Sequence, residues 1–201
     1  MEQANGYASI RHRYHEWRYN LDFAHKAMLA LAFACLVGLL AQVRIPLGFT
    51  PVPLTGQTFG VLLAGVTLGA YWGGASMLMY VGIGALGMPW FQQMNGGIEY
   101  AFGATGGYLV AFVLVAFVVG WLTERRIAAR SAMRLLPVMV LSSVTILLVG
   151  TAWLSVALGV SFAAALEMGF LPFIGLDVAK SVAAAGIGSA MTTKKAYGPE
   201  L

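Results

Sequence analysis

The sequence predicts an all-α integral membrane protein with six transmembrane helices and both termini in the cytoplasm. Composition is the first observation behind this prediction. Of the 201 residues, 59% are hydrophobic and only 10% are charged, whereas about 25% of the residues of an average soluble protein are charged. The mean hydropathy of the chain is +0.78. Too few polar residues are present to cover a water-facing surface, so we expect the protein to lie in a membrane.

Six apolar segments are the second observation. They cover approximately residues 24–43, 58–71, 72–86, 105–122, 137–158 and 172–192. A membrane-spanning helix needs about 20 apolar residues, with about 17 as the short limit. The second and third segments only just qualify, so we expect them to be tilted, kinked or partly re-entrant. The turn between them is expected at the YWGG sequence of residues 71–74.

The positions of the basic residues are the third observation, because lysine and arginine are enriched in cytoplasmic loops. With six spans, ten of the twelve basic residues fall on the side that holds both termini: Arg11, Arg13, Arg18, Lys26, Arg125, Arg126, Arg130, Arg134, Lys194 and Lys195. Only Arg44 falls in the opposite loops. We therefore expect a cytoplasmic tail over residues 1–23, one membrane domain over 24–192 and a second cytoplasmic tail over 193–201.

One acid and one base lie together inside the last apolar segment. Asp177 and Lys180 occur in the run FLPFIGLDVAKSVAAAGIGSAM, and their spacing of three places them on one face of a helix. A charge that faces lipid costs several kcal/mol, so the pair is expected to face a cavity or a partner. Together the two side chains offer an acceptor and a cationic donor to a small polar or zwitterionic ligand. The alternative is an ion pair that only fixes the last span.

The loops expected to face outward cover residues 44–57, 87–104 and 159–171. The first, RIPLGFTPVPLTGQT, contains three prolines and two glycines and cannot form a regular helix, and it is long enough to cover a site. Thr55, Gln57 and Thr58 supply neutral hydrogen-bonding groups there. The alternative is that these residues only cap the helix that follows.

The second outward loop combines aromatic residues, amides and glycines. Trp90, Phe91 and Asn95 lie in it, and Asn95 is followed by two glycines. Aromatic faces beside an amide are typical of a ligand pocket. An interfacial aromatic belt and a simple turn explain the same residues equally well.

The first apolar segment contains a small-xxx-small step at Ala30 and Ala34. Such a step lets another helix approach closely. The helix that approaches could belong to a partner, but close packing within the same bundle is the simpler alternative.

Several classes of site are excluded by the positions of a few residue types. The histidines, His12, His15 and His25, all precede or begin the first segment. No histidine can therefore support a Ser-His, Cys-His or histidine-based metal site near the outward loops. The chain also lacks a GxxxxGK[ST] phosphate loop. We expect no catalytic residues, no metal, no cofactor and no nucleic-acid partner, which favours a binding or transport protein.

Five runs of the sequence, in chain order, are PVPLTGQTFGVLLAGVTLG, YVGIGALGMPWF, NGG, GATGGYLVAF and GFLPFIGLDVAKSVAAA. Together they resemble the landmarks of the BioY family, the biotin-specific substrate-binding S subunits of energy-coupling factor (ECF) transporters. The resemblance extends over about residues 24–190. It implies an S-component-like six-helix bundle that captures biotin near the outer face of a prokaryotic cytoplasmic membrane.

The resemblance also implies roles for particular residues. The positions that match the family's biotin site are Asp177, Lys180 and Asn95, with the lining candidates Gln57, Thr55, Tyr80, Phe91 and Tyr108. The implied partners are a transmembrane coupling subunit that docks on the alanine face with Ala30 and Ala34, and two ATPase subunits. A homo-oligomer would replace them if the protein works alone.

Two other functions stay open at the level of the sequence. One is an S subunit for a different vitamin such as riboflavin or thiamine, against which the VPLTGQT and DVAK motifs argue. The other is a secondary transporter that works alone, with Asp177 and Lys180 as a proton relay.

Overall fold

A computed structural model describes residue 17 and residues 20–126 and 130–192. Its helices and strands, in chain order, are α1 (Phe23–Gln42), β1 (Arg44–Ile45), β2 (Leu54–Thr55), α2 (Gln57–Ala85), a 3-10 turn (Gln92–Met94), α3 (Ile98–Ala101), α4 (Gly106–Arg125), α5 (Ala132–Leu158), α6 (Phe162–Gly169) and α7 (Leu171–Met191). The predicted tails lie almost wholly outside the described residues, as do five of the counted basic residues: Arg11, Arg13, Arg18, Lys194 and Lys195.

Five of these helices are long and apolar enough to cross a membrane: α1, α2, α4, α5 and α7. Each coincides with a predicted apolar segment, except that α2 contains both the second and the third. The fold is therefore mostly helical, as expected. The expectation of a purely α-helical chain needs one small correction, because β1 and β2 form an antiparallel pair in which Arg44 lies opposite Thr55.

Helix α2 is a hairpin, not a straight rod. Its backbone leaves the helical region at Gly69, where φ is +82°, a conformation that glycine adopts without a steric penalty. The side chains of Gln57 and Tyr80 are hydrogen-bonded at 2.9 Å, although 23 residues of straight helix would separate them by about 35 Å. A side chain on Gly73 would lie 3.0 Å from the Cα of Gly65, so the two halves pack closely against each other.

The predicted turn of this hairpin was misplaced. The YWGG sequence of residues 71–74 is helical, and the reversal occurs at Gly69. Gly73 and Gly74 instead allow close packing. A side chain on Gly73 would press on the backbone of Gly65, and one on Gly74 would press on the side chain of Phe117. Glycine pairs alone did not distinguish a turn from close helix packing.

Helix α1 begins after Asp22, whose carboxylate accepts from the backbone N–H of His25 at 3.0 Å. That bond and the contact with the His25 ring hold the pKa of Asp22 below its usual range. Further along α1, Ala30 and Ala34 are fully buried against the rest of the bundle. Both alanines thus pack within this chain, as the simpler alternative expected, and docking of a partner on this face of α1 stays a prediction.

Two ends of the bundle can be distinguished. The "loop end" carries the β1–β2 pair, the 3-10 turn and α3, and the "turn end" carries Gly69 and the last turn of α4. The segment 159–171, predicted as a loop, contains α6, an eight-residue helix whose first turn is capped by Ser161. The segment 44–56, in the loop predicted to face outward first, contains the short strands β1 and β2 and no helix, as its prolines predicted.

The turn end contains two charged residues in contact with backbone groups. The carboxylate of Glu124 accepts from the N–H of Ala70, at the start of the second half of α2, at 3.1 Å. The side chain of Arg130 is buried, and its guanidinium donates to the carbonyls of Thr123 (2.8 Å) and Glu124 (3.2 Å). These bonds join the hairpin, the end of α4 and the start of α5.

Candidate functional site

A cavity of about 570 Å3, including the space at its mouth, lies at the loop end of the bundle and is partly open to the surface. The lining comes from α2, α4, α5, α7 and the two long loops: Val52, Pro53, Thr55, Gln57, Thr58, Phe91, Gln92, Tyr100, Thr105, Tyr108, Leu109, Phe112, Ile146, Leu147, Phe173, Asp177 and Lys180.

The predicted charged pair lies in this lining. Lys180 Nζ donates to Asp177 Oδ1 at 2.6 Å, and only 3% of the Asp177 side chain and 13% of the Lys180 side chain are exposed. One turn of α7 brings them together because they are three residues apart. Thr58, at the start of α2, lies beside the carboxylate. The cavity thus has an acceptor and a cation on one wall, shielded from bulk water.

Aromatic rings form much of the remaining wall. The rings of Phe91 and Tyr100 stack with their centroids 5.3 Å apart and an angle of 23° between their planes, and Tyr108, Phe112 and Phe173 complete the set. The Tyr100 hydroxyl is buried and makes no hydrogen bond within the described part of the chain, although Gln92 and Thr105 lie beside it. Burial raises the pKa of Tyr100, so its hydroxyl stays protonated and can donate to a ligand.

Gln57 and Thr55 line the cavity, whereas Tyr80 lies behind them. Gln57 Nε2 donates to the Tyr80 hydroxyl at 2.9 Å, and Thr55 Oγ1 donates to Gln57 Oε1 at 3.0 Å. The Tyr80 ring is fully buried and meets the Phe91 ring edge-on at 5.4 Å. Tyr80 therefore supports two lining residues instead of facing the cavity itself.

Asn95 has a similar supporting position. Its side chain donates to the Gln92 carbonyl at 2.9 Å, and its own carbonyl accepts from the N–H of Phe91 at 2.9 Å. The turn that these bonds close carries Phe91 and Gln92 into the cavity wall. Asn95 itself is not among the lining residues.

Tyr108 presents its ring to the cavity and anchors its hydroxyl elsewhere. The hydroxyl donates to the Gly169 carbonyl, just before α7, at 2.8 Å. A side chain on Gly150 would overlap the ring, so glycine at that position makes room for it. Tyr108 thus links the cavity wall to the junction between α6 and α7.

Sequence reasoning did not single out the lining residues Gln92, Tyr100, Thr105 and Phe173. Thr105 and Phe173 lie within runs that were noticed, and Gln92 and Tyr100 lie beside such runs, but the runs alone do not indicate which way these side chains point. Phe173 is the one that periodicity could have found, since it precedes Asp177 by four residues and therefore shares its helix face.

Within the described ranges, no three His, Cys, Asp or Glu side chains are grouped in a way that could hold a metal ion. The cavity lining has the composition of a binding site: one buried ion pair, several neutral hydrogen-bonding groups and an aromatic enclosure. Such a site suits a compact ligand with a polar ring and an apolar body.

Comparison with known proteins agrees with this geometry. A model of the BioY family matches residues 11–197. The chain belongs to the BioY family. Among its relatives, a probable biotin transporter BioY of Methanothermobacter thermautotrophicus is 42% identical over 146 residues, which cover 69% of this chain and 93% of the relative. A biotin transporter BioY of Rhizobium etli is 35% identical over 170 residues, which cover 82% of this chain and 90% of the relative.

A solved structure has the same fold. The crystal structure of an S-component for biotin from an ECF-type ABC transporter superposes with a TM-score of 0.76 at 25% sequence identity, covering 83% of this chain and 89% of that one. The BioY fold is thus common to both chains, and the apolar helices make this chain a multi-pass membrane protein.

Proposed function

We infer that this protein is a biotin transport protein, not an enzyme, and that it binds biotin in the cavity at its loop end. Membership of the BioY family and the named relatives support this function. The observation that carries it in the structure is the buried pair of Asp177 and Lys180, held at 2.6 Å on the wall of a cavity of about 570 Å3.

The chemistry of biotin fits the wall. Its ureido ring offers two N–H donors and a carbonyl acceptor, attached to an apolar bicycle and a carboxylated chain. We propose that Asp177 accepts from a ureido N–H and that Lys180 donates to the carbonyl or the carboxylate. A lysine ammonium and a carboxylate bonded to each other still have spare donor hydrogens and spare lone pairs. The ligand can therefore bind both without breaking their bond.

The other predicted residues fit this picture in two groups. Gln57, Thr55, Phe91 and Tyr108 line the cavity and would enclose the ligand. Tyr80 and Asn95 would act through the lining residues that they hold. A direct contact between Asn95 and biotin would require its side chain to leave the Gln92 carbonyl.

The assembly and the topology are part of the proposal. The match to an ECF S-component supports a coupling subunit and two ATPase subunits as partners. The antiparallel halves of α2 support six membrane crossings, with both termini cytoplasmic and the loop end facing outward from a prokaryotic cytoplasmic membrane. Biotin uptake should then stop in cells that lack the coupling ATPases. Uptake that persists there, and collapses with the proton gradient, would instead indicate a solitary secondary transporter.

Titration of the purified protein with biotin, followed by tryptophan emission, tests the function directly. Asp177→Asn and Lys180→Ala should each lower the affinity about a hundredfold, or about 2.7 kcal/mol, because hydrogen bonds to charged groups contribute about 1.5–3 kcal/mol. Ser181→Ala is the matched control, since Ser181 is buried on the same helix but bonds to Ser143 and is not part of the lining. Affinities of both variants within threefold of the parent would make the pair purely structural.

A further inference from the structure

The loop that carries Phe91 and Gln92 into the cavity is strained. Gln93 and Met94 have φ angles of +61° and +56°, in the left-handed region that side chains other than glycine's disfavour. Both side chains are exposed, so no buried contact of their own explains the conformation. Two consecutive residues in this region persist only if the surroundings hold them there.

One side chain outside the cavity makes three hydrogen bonds to this loop. Gln42, the last residue of α1, donates through Nε2 to the carbonyls of Trp90 (3.2 Å) and Phe91 (2.9 Å). Its Oε1 accepts from the N–H of Met94 at 3.2 Å. Both ends of the amide thus bind the loop, Nε2 just before the strained residues and Oε1 at one of them, Met94.

The same end of α1 also holds the other loop over the cavity. The N–H of Gly56, next to the lining residue Thr55, donates to the carbonyls of Leu40 (3.1 Å) and Val43 (3.2 Å). The guanidinium of Arg44 lies beside the Gln93 side-chain amide, whose oxygen is assigned to the side facing Arg44, where it accepts at 2.9 and 3.3 Å. The end of α1 is therefore a common anchor for both loops.

We propose that Gln42 is a positioning residue for ligand binding: it forces the loop from Trp90 to Asn95 into its strained form and so places Phe91 and Gln92 in the cavity wall. The inference rests on the proposed function, because biotin is the ligand whose binding reports on it. Without Gln42 the loop relaxes, Phe91 loses its stacked position against Tyr100, and the wall opens. The residue affects affinity although it does not line the cavity.

The test is the affinity of folded, purified full-length variants for biotin. Gln42→Leu, which removes both ends of the amide, should lower the affinity at least tenfold, mainly through faster dissociation, and should shift the emission of the tryptophans through Trp90. Gln42→Glu keeps the size and the acceptor but cannot donate, and it should lower the affinity as well. If Gln42→Leu does not fold, the affinity of Gln42→Glu tests the proposal instead.

A substitution that relieves the strain of the loop distinguishes a positioning role of Gln42 from a general loss of stability. Met94→Gly alone should leave the affinity within threefold of the parent, because glycine adopts a positive φ freely. Combined with Gln42→Leu, it should recover at least threefold of the lost affinity, since the required loop conformation then needs less support. Ser155→Ala is the matched control: Ser155 also ties a helix end to its following loop, through the Val160 carbonyl at 2.8 Å, but away from the cavity, and its loss should not change the affinity.

Two results would overturn the proposal. One is a folded Gln42→Leu protein with an affinity within threefold of the parent. The other is a loss of affinity that Met94→Gly does not reduce at all. Neither result concerns the proposed function, which fails only if the parent protein itself does not bind biotin.

Discussion

Charged residues are buried or half-buried at both ends of this apolar bundle, but their partners differ. At the loop end, Asp177 and Lys180 bind each other at 2.6 Å on the wall of a cavity. At the turn end, Glu124 and Arg130 bind backbone groups, namely the N–H of Ala70 and the carbonyls of Thr123 and Glu124. A buried charge needs a partner in both places. Only the first pair leaves donor and acceptor capacity facing an open space.

The kind of partner, backbone or side chain, distinguishes two roles for the charges in this bundle. Backbone partners at the turn end are fixed by the helices that they join, so those charges hold the fold together. Side-chain partners at the loop end can be shared with a ligand, so those charges can recognise one. Substitutions at the turn end should therefore lower stability and leave affinity unchanged, whereas substitutions at the loop end should lower the affinity for the ligand.

The largest effect is expected for Arg130→Met. The change removes a buried guanidinium and leaves two helix-end carbonyls without their donors, which should lower the free energy of unfolding by about 3 kcal/mol. For a protein of this size that corresponds to a fall of about 6–12 °C in the thermal midpoint. The affinity of the folded fraction for biotin should stay within twofold of the parent.

Arg126→Met is the control for this substitution, because Arg126 is exposed and lies at the end of α4 in the same loop. Its thermal midpoint should match that of the parent. A loss of biotin affinity in Arg130→Met at temperatures far below its midpoint would contradict the division between the two ends.

The next effect is expected in a double-mutant cycle at the loop end. Asp177→Asn and Lys180→Met should each weaken biotin binding by about 2.7 kcal/mol. The double variant should lose about as much as either single variant, because each residue acts on the ligand through a pair that the first change already breaks. Isothermal titration of all four proteins gives the coupling energy. Fully additive losses would contradict the idea that the two side chains act as a unit, because each would then contribute to binding without needing the other.

Much of the fold could be predicted because its physical causes are local. Apolar length located the helices within a few residues, and the spacing of three placed Asp177 beside Lys180. The turn at Gly69 could not be located in the same way. Several glycines lie in that stretch, and only the packing against α4 decides which of them leaves the helix. Here a side chain on Gly120 would overlap the backbone of Gly69.

The site was predictable where a residue's chemistry is unusual for its setting and unpredictable elsewhere. Charges inside an apolar segment are rare, so Asp177 and Lys180 stood out, but Tyr100 and Gln42 are ordinary residues at a membrane surface. Their roles depend on contacts between distant parts of the chain, as in the bond from Gln42 to Phe91, 49 residues away in the sequence, and the stacking of Tyr100 on Phe91. The small-residue step at Ala30 and Ala34 was noticed in the sequence, but the sequence could not show its use. Such a step serves close packing within the bundle as well as contact with a partner helix.

The smallest effect is expected for Glu124→Gln, and it addresses the turn end alone. The amide oxygen can still accept from the N–H of Ala70, so the hydrogen bond persists and only its charge assistance is lost. The negative charge also favours the start of the second half of α2, a contribution of about 0.3–1 kcal/mol. We therefore expect the unfolding free energy to fall by about 1 kcal/mol, measured against Glu99→Gln, which neutralises an exposed acid in the loop. Biotin affinity should not change. A Glu124→Gln protein as stable as the parent would show that geometry alone fixes this turn, and the turn end would then need no charge of its own besides Arg130.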